Sequence, residues 1–333
     1  MCYFESSPFM PELPEVETVA RGLRQTILGR RILSVALGKT DFIDDPVALE
    51  QNLPGHRIDA VERYGKFMLL RLSEAAATNG NGGENTAKQA SLLVHLGMTG
   101  QMAPSPAEKP PEKHTHVCML LDDGRELRYI DARRFGRIAY LTEAPLAEEL
   151  TRFGADPLEI SKEEFVKRIR ERRARIKALL LDQGLLRGVG NIYADESLWR
   201  AKIHPAQLGA KLSRKQAEML WSGLQEILRK AIAMRGSSIS DFLDTEGEPG
   251  EYQQRHRAYG REGKGCHRCK TAIRRGIVAG RSSYFCPKCQ SAPRGFAVLP
   301  LPRRVVTAPI RTKQRVRKVD GRRLRKSIKA TSR

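Results

Sequence analysis

The chain has 333 residues, 40% of them hydrophobic. That is room for about two domains of roughly 150 residues with a sizeable core, and it excludes wholesale disorder. No apolar run approaches the roughly 18 residues of a membrane-spanning helix, and Met1 to Met10 lack the basic-then-apolar pattern of a secretory signal. Lys and Arg number 59 against 38 acids, a net charge of +21, and the segment from Pro300 to Arg333 holds 13 of the bases with Asp320 its one acid. A basic body with a more basic tail points to a polyanionic partner, nucleic acid first; the alternative is a solubilising tail on an enzyme with a neutral substrate.

Residues 1–9 show no periodicity, and helical spacing begins after Pro14 with Val16, Val19, Leu23 and Ile27, ending at Gly29. Pro14 suits a first turn, and Glu15 and Glu17 suit the positive end of the helix dipole. Short aliphatic or β-branched runs at Arg31–Leu37, Phe67–Leu72, Ser91–Leu96, Val117–Leu121, Leu127–Ile130 and Ile138–Leu141 read as strands, with Asp122-Asp123-Gly124 as a hairpin turn. This half predicts a β-sandwich or barrel carrying one N-terminal helix. Residues 73–90 are small, polar and rich in Gly and Asn, and read as a flexible insertion between two strands. From about Pro145 the period turns helical. Ser161 and Glu164 form a capping-box pattern, helices are expected over 176–183 and 192–200, and Ser213 with Gln216 opens a long helix to about Met234. Residues 236–262 read as a mobile loop.

Cys266-x2-Cys269 and Cys286-x2-Cys289, sixteen residues apart, form two knuckles able to close a tetrahedral Zn²⁺ site. Four thiolates leave no open position, so the metal is expected to be structural, with a β-hairpin between the knuckles. Arg268, Lys270, Arg274, Arg275 and Arg281 make that hairpin a candidate DNA-contacting finger. Cys2 and Cys118 stand alone, which fits a reducing compartment rather than a disulfide scaffold.

Gly188-Val189-Gly190-Asn191 between two helices reads either as a phosphate-binding helix start, with Lys177 adding charge, or as an ordinary turn. Arg133 and Phe135 share a side of an extended segment; they form a duplex wedge, or else a surface Arg and a core Phe. Met98, in the Gly-bounded turn His95–Gly100, is a loop-tip residue or a buried one. His114-x-His116 lacks a third ligand nearby and suits polar contacts or packing better than a metal.

The segment Met10-Pro11-Glu12-Leu13-Pro14-Glu15-Val16-Glu17-Thr18-Val19 resembles the N-terminus of bacterial formamidopyrimidine-DNA glycosylases. The resemblance runs through 10–292, with Tyr64–Phe67, His95–Gly100, Glu112–Val117, Asp131–Gly136, Gly188–Leu198 and the cysteine module in the same order. It implies an α+β multidomain enzyme. An N-terminal catalytic β-sandwich occupies 10–142. A helix-two-turn-helix domain occupies 143–262, with a lesion-capping loop at 236–250. A zinc finger occupies 263–292, and a basic tail 300–333 follows. The implied activity is that of a DNA glycosylase and AP lyase in base excision repair. It would excise oxidised purines (8-oxoguanine, formamidopyrimidines) from damaged double-stranded DNA, as a monomer in the bacterial cytoplasm. The implied roles are Pro11 as nucleophile, Glu12 as acid, Lys66 assisting β-elimination and Arg281 assisting δ-elimination. Met98, Arg133 and Phe135 would fill the gap left by the extruded base, and His114, Arg133, Arg172, Lys177 and Asn191 would contact the DNA backbone or the orphaned base. The rival readings are an endonuclease VIII-like enzyme for oxidised pyrimidines and a non-catalytic DNA-binding protein.

Nine residues precede Met10, and Ser240 stands where the family often carries a basic residue. A secondary amine forms an iminium with a sugar; an acylated proline nitrogen cannot. Translation is therefore expected to start at Met10, or the leader to be removed, with Met10 then clipped. The tail is expected to strengthen non-specific DNA binding.

Overall fold

The computed structural model describes residues 10–74, 89–239 and 242–295. The leader 1–9, most of the 73–90 insertion, Ser240 and the tail 300–333 lie outside them. Helix α1 (Leu13–Ile27) opens the chain, with Glu12 as its N-cap and Pro14 in its first turn. Its apolar stripe of Val16, Val19, Ala20, Leu23 and Ile27 is buried. Strand β1 (Ile32–Leu37), the short helix α2 (Pro46–Asn52), and strands β2 (Arg57–Tyr64), β3 (Phe67–Ser73), β4 (Gln89–His95), β5 (Gln101–Pro106), β6 (Thr115–Leu121), β7 (Arg125–Ile130) and β8 (Arg137–Thr142) follow. Among the described residues these strands form two four-stranded sheets, ordered β1-β6-β7-β5 and β2-β3-β4-β8, antiparallel throughout.

One core lies between the sheets and against α1. Met68, Leu70, Leu92 and Val94 enter it from one sheet, and Val117, Met119, Leu127 and Tyr129 from the other. The alternate residues of β3 and β4, Phe67, Leu69 and Leu93, are buried on the outer face under Leu146 of α3 (Glu143–Thr151). This is the expected sandwich with its N-terminal helix. The Asp122–Gly124 turn joins the paired strands β6 and β7, as read.

The helical half contains α4 (Lys162–Arg170), α5 (Ile176–Leu181), α6 (Asn191–Ala201) and α7 (Arg214–Ala233). Ser161 caps α4 by accepting from Glu164 N–H, and Ser213 with Gln216 forms a reciprocal capping box on α7. Leu220, Leu224, Ile227 and Leu228 of α7 pack on Tyr193 and Leu198 of α6, and Leu13 from the start of α1 joins this second core. The two halves are thus joined at the start of α1: Leu13 N–H donates to Gly188 C=O at 3.0 Å. Strands β9 (Arg274–Val278) and β10 (Arg281–Phe285) form the expected hairpin between the cysteine knuckles. Within the expected mobile loop the later part is packed: Tyr252, Ala258 and Tyr259 are buried, because their rings and methyl fill the space between α6, α7 and the cysteine module.

Candidate active site and nucleic-acid interface

Glu12 and Glu15 lie one turn apart and are both buried. The Glu12 carboxylate accepts from the backbone N–H groups of Gly190 (2.9 Å), Ile192 (2.8 Å) and Tyr193 (3.3 Å), so it occupies the positive end of α6. The helix start anticipated as a phosphate site is filled by the protein's own carboxylate. Gly190 is needed there, since a Cβ would run into Glu12 Cδ. Burial raises the proton affinity of Glu12, against the opposing pull of Lys66 and the three N–H donors. The carboxyl therefore keeps its proton to higher pH than an exposed glutamate.

Glu15 accepts from Glu12 N–H (2.9 Å), Ser237 N–H (2.6 Å) and Tyr193 OH (2.5 Å). Burial, and then the neighbouring Glu12 charge, push its pKa up to about 7. Sequence reasoning gave Glu15 only a helix-dipole role; the signal available was a second carboxyl three residues from Glu12, on the same face of a helix start. A Cβ on Gly236, whose φ is +76°, would lie 2.6 Å from Glu15 Oε1, so the chain can pass here only as glycine.

Pro11 is buried beside this pair. A shallow recess is lined by Met10, Pro11, Glu15, Met98, Ile192, Ser237, Ile239 and Phe242. Met98 is therefore both buried and at the recess. Lys66 is half-buried on the β2–β3 turn, close enough for its charge to act on Glu12 and on His95.

Arg133 and Phe135 are exposed on the β7–β8 loop, with the guanidinium 4.6 Å from the ring centroid, so the two form one stacked projection. The buried Asp131 carboxylate builds it: Oδ1 accepts from Arg133 N–H (3.1 Å) and Thr99 OH (2.5 Å), and Oδ2 from Gly136 N–H (2.9 Å). Thr99 follows Met98, so one carboxylate ties together the two loops of the expected wedge. Asp131 was within the segment singled out, but its role needs the fold. His114 is exposed at a positive φ of 71°, and its C=O accepts from Asp131 N–H at 3.0 Å. Arg172 is exposed beyond α4, and Asn191 opens α6, half-buried.

Lys177 does not meet the expectation of a phosphate contact. Its side chain has no exposed surface; Nζ lies 2.7 Å from Asp195 Oδ1 and donates to Ser282 C=O at 2.8 Å. Asp195 Oδ2 in turn accepts from Tyr284 N–H at 2.8 Å. The pair thus pins β10, which begins at the half-buried Arg281. Arg268 also departs from the finger reading: its guanidinium stacks on Trp199 at 3.8 Å and donates to the carbonyls of Trp199 (2.6 Å) and Arg200 (2.8 Å), capping α6.

The sulfur atoms of Cys266, Cys269, Cys286 and Cys289 lie within 4.8 Å of one another. A tetrahedral Zn²⁺ with Zn–S of about 2.3 Å needs S–S edges of about 3.8 Å, so the four thiolates fit one zinc. With four sulfur ligands the site is closed, and the metal is structural. Among the described residues no other group of three or more metal-ligating side chains comes together. The His116 ring is set against the Phe42 ring, centroids 5.8 Å apart.

Family models match three stretches of the chain: the formamidopyrimidine-DNA glycosylase N-terminal domain over residues 10–138, its H2TH domain over 153–243, and the zinc finger found in FPG and IleRS over 263–292. The formamidopyrimidine-DNA glycosylase of Solibacter usitatus is 44% identical over 283 residues, 84% of this chain and 99% of that protein. That of Desulforamulus reducens is 41% identical over 85% of this chain and 100% of its own length. The Lactococcus lactis Fpg, solved in complex with DNA containing an abasic site, superposes with a TM-score of 0.74 at 33% identity, covering 84% of this chain and 100% of that one. MutM (FPG) from Thermus thermophilus gives 0.71 at 39%, covering 84% and 98%. The chain belongs to the formamidopyrimidine-DNA glycosylase family.

Proposed function

We propose that the protein is a bifunctional DNA glycosylase and AP lyase of base excision repair, acting on oxidised purines in duplex DNA. The observation that carries this reading is the buried Glu12 carboxyl at the start of α6, next to Pro11, which with Glu15, Met98, Ser237, Ile239 and Phe242 lines a recess. Once Pro11 is the first residue, its ring nitrogen is a secondary amine with a pKa near about 8, partly neutral at working pH. Its lone pair forms a bond to C1′ of the extruded nucleotide. The C1′–N bond to the base breaks, the base leaving with the bonding pair and taking up the proton lost from the Pro11 nitrogen; Glu12 gives its proton to the ring oxygen, the C1′–O bond breaks, and the opened sugar is left as an iminium. That cation acidifies the neighbouring sugar C–H. Lys66 assists loss of the 3′ phosphate and Arg281 loss of the 5′ phosphate. The Arg133–Phe135 projection and Met98 fill the vacated stack, and unstacking costs least at a damaged base. His114, Arg172 and Asn191 hold the backbone, in the bacterial cytoplasm where the nucleoid lies.

The test is single-turnover excision by a chain beginning at Pro11. The proposal expects release from an 8-oxoguanine·C duplex to outpace release from a thymine glycol duplex at equal enzyme. A preference for thymine glycol would favour the pyrimidine-directed reading, and DNA binding without excision would favour the non-catalytic one.

A further inference from the structure

A row of buried polar groups runs from the recess towards the cysteine module, and the steps above do not use it. Tyr193 OH donates to Glu15 Oε1 at 2.5 Å, Ser237 Oγ lies 3.3 Å from Tyr193 OH, and His256 Nε2 lies 3.1 Å from Ser237 Oγ. All four side chains are more than nine-tenths buried. Three elements meet here: the start of α1, the first turn of α6, and the stretch after α7 that carries Ser237 and His256.

We infer that His256 is a positioning residue of the excision reaction: through Ser237 and Tyr193 it sets the direction of a hydrogen-bond chain that ends on the Glu15 carboxylate beside Pro11 and Glu12. The inference rests on the function proposed above. An ionised carboxylate can only accept, so Tyr193 must donate to it. Tyr193 O then needs a donor, which is Ser237 OH, and Ser237 O needs one in turn, which is His256 Nε2–H. Every member is satisfied head to tail only with imidazole in the Nε2–H tautomer. When Glu15 binds a proton, the same row runs the other way: Glu15 OH to Tyr193, Tyr193 OH to Ser237, and Ser237 OH to a bare Nε2. Neutral imidazole offers both tautomers, so it serves both states, and an apolar side chain serves neither. Cooperative polarisation along the row strengthens the bond that reaches Glu15.

The surroundings keep the switch between tautomers rather than charges. Burial, and then Arg261, hold His256 down at about 4, so it is neutral at working pH. Its ring is framed by Tyr252 and Tyr259 at 5.8 and 5.7 Å. The Glu196 carboxylate accepts from the N–H groups of residues 257, 258 and 259. At the far end Glu15 faces Glu12, Tyr193 and the N–H of Ser237, and Lys66 acts on Glu12. Glu15 is therefore the member of the row that titrates near neutrality.

The experiment compares H256L, H256Q, S237A and H256L/S237A in chains beginning at Pro11, measuring single-turnover excision from pH 5 to 9 and duplex affinity. H256L should slow excision about fivefold, the worth of one net hydrogen bond. It should also move the limb that reports Glu15 to higher pH, because the row ending on the ionised carboxylate is charge-assisted and loses more than the row of the protonated state, with affinity unchanged. H256Q, whose amide can donate to Ser237, should return both to within about twofold of the parent, as expected if one hydrogen bond is restored. The double variant should be no slower than S237A, because a row cut once is already cut. Coincident profiles for H256L and the parent, or additive losses in the double variant, overturn the inference. Should H256L fail to fold, S237A must show the shifted limb and H256Q must not; S237A without the shift overturns it equally. A parent enzyme that excises nothing overturns the proposed function instead.

Discussion

Replacing Lys177 by Met separates two roles for this residue by magnitude. In the structure Lys177 and Asp195 are both fully buried, 2.7 Å apart, with Asp195 also holding Tyr284 N–H. Removing the cation leaves an uncompensated carboxylate in the interior, which costs about 3–5 kcal/mol. Burial already pushes Asp195 up to about 6 despite Lys177, so in Lys177→Met it would bind a proton more readily still. The deficit should therefore shrink as pH is lowered. Asp195→Asn in the same chain removes the orphaned charge while keeping an acceptor for Tyr284, and should recover most of the loss. Urea midpoints of the three proteins at pH 5.5 and 8 measure this. A phosphate contact would behave differently: its loss would lower the salt slope of duplex affinity by about 0.9 with little effect on stability. A lower slope in a Lys177→Met protein of unchanged stability would refute the buried-pair account.

Glu12→Gln should slow single-turnover excision by about 10²–10⁴, the span of a general acid, with duplex affinity within about threefold; a loss below tenfold would remove Glu12 from the chemistry. Burial pushes Glu196 up to about 7 from an ordinary 4.5. The folded state therefore binds that proton more tightly, and the stability Glu196 contributes is lost as pH rises from about 4.5 through about 7. Glu196→Gln does not titrate, so its stability relative to the parent should rise across that window by up to about 3 kcal/mol; parallel stability–pH curves would contradict this. Ala279 sits at φ 53° in the β9–β10 turn, a left-handed conformation that costs a residue with a Cβ about 1 kcal/mol, so Ala279→Gly should raise the urea midpoint of the holoprotein. An unchanged or lower midpoint would show the turn to be unstrained.

Much of the fold could be read from the residues, and the failures have local causes. Strand β2 escaped because its run Arg57–Tyr64 is charged and its register slips between Ile58 and Ala60, which breaks the alternation. Strand β5 carries Pro104 and Pro106, tolerated because it is a sheet edge, which sequence cannot show. Helix α3 hides behind Pro145, and α2 has only seven residues. At the site, the cysteines could be read directly because two knuckles at that spacing have few alternative uses, whereas Pro11 and Glu12 were singled out only through the resemblance of the Met10–Val19 segment. Lys177 and Arg268 misled because a basic residue reads the same whether it faces a phosphate, a buried Asp195 or the carbonyl end of α6. Asp131 and His256 were silent because their roles depend on partners up to 32 and 63 residues away, Thr99 and Tyr193.

The account turns on the nitrogen of Pro11. Borohydride reduction of the enzyme mixed with abasic duplex DNA, followed by peptide mapping of the cross-link by mass spectrometry, reads it directly. The account predicts a sugar adduct on the N-terminal peptide, at Pro11, formed by chains that begin there and not by chains that retain residues 1–10. An adduct on a lysine, or equal capture by the chain with its leader intact, would contradict it.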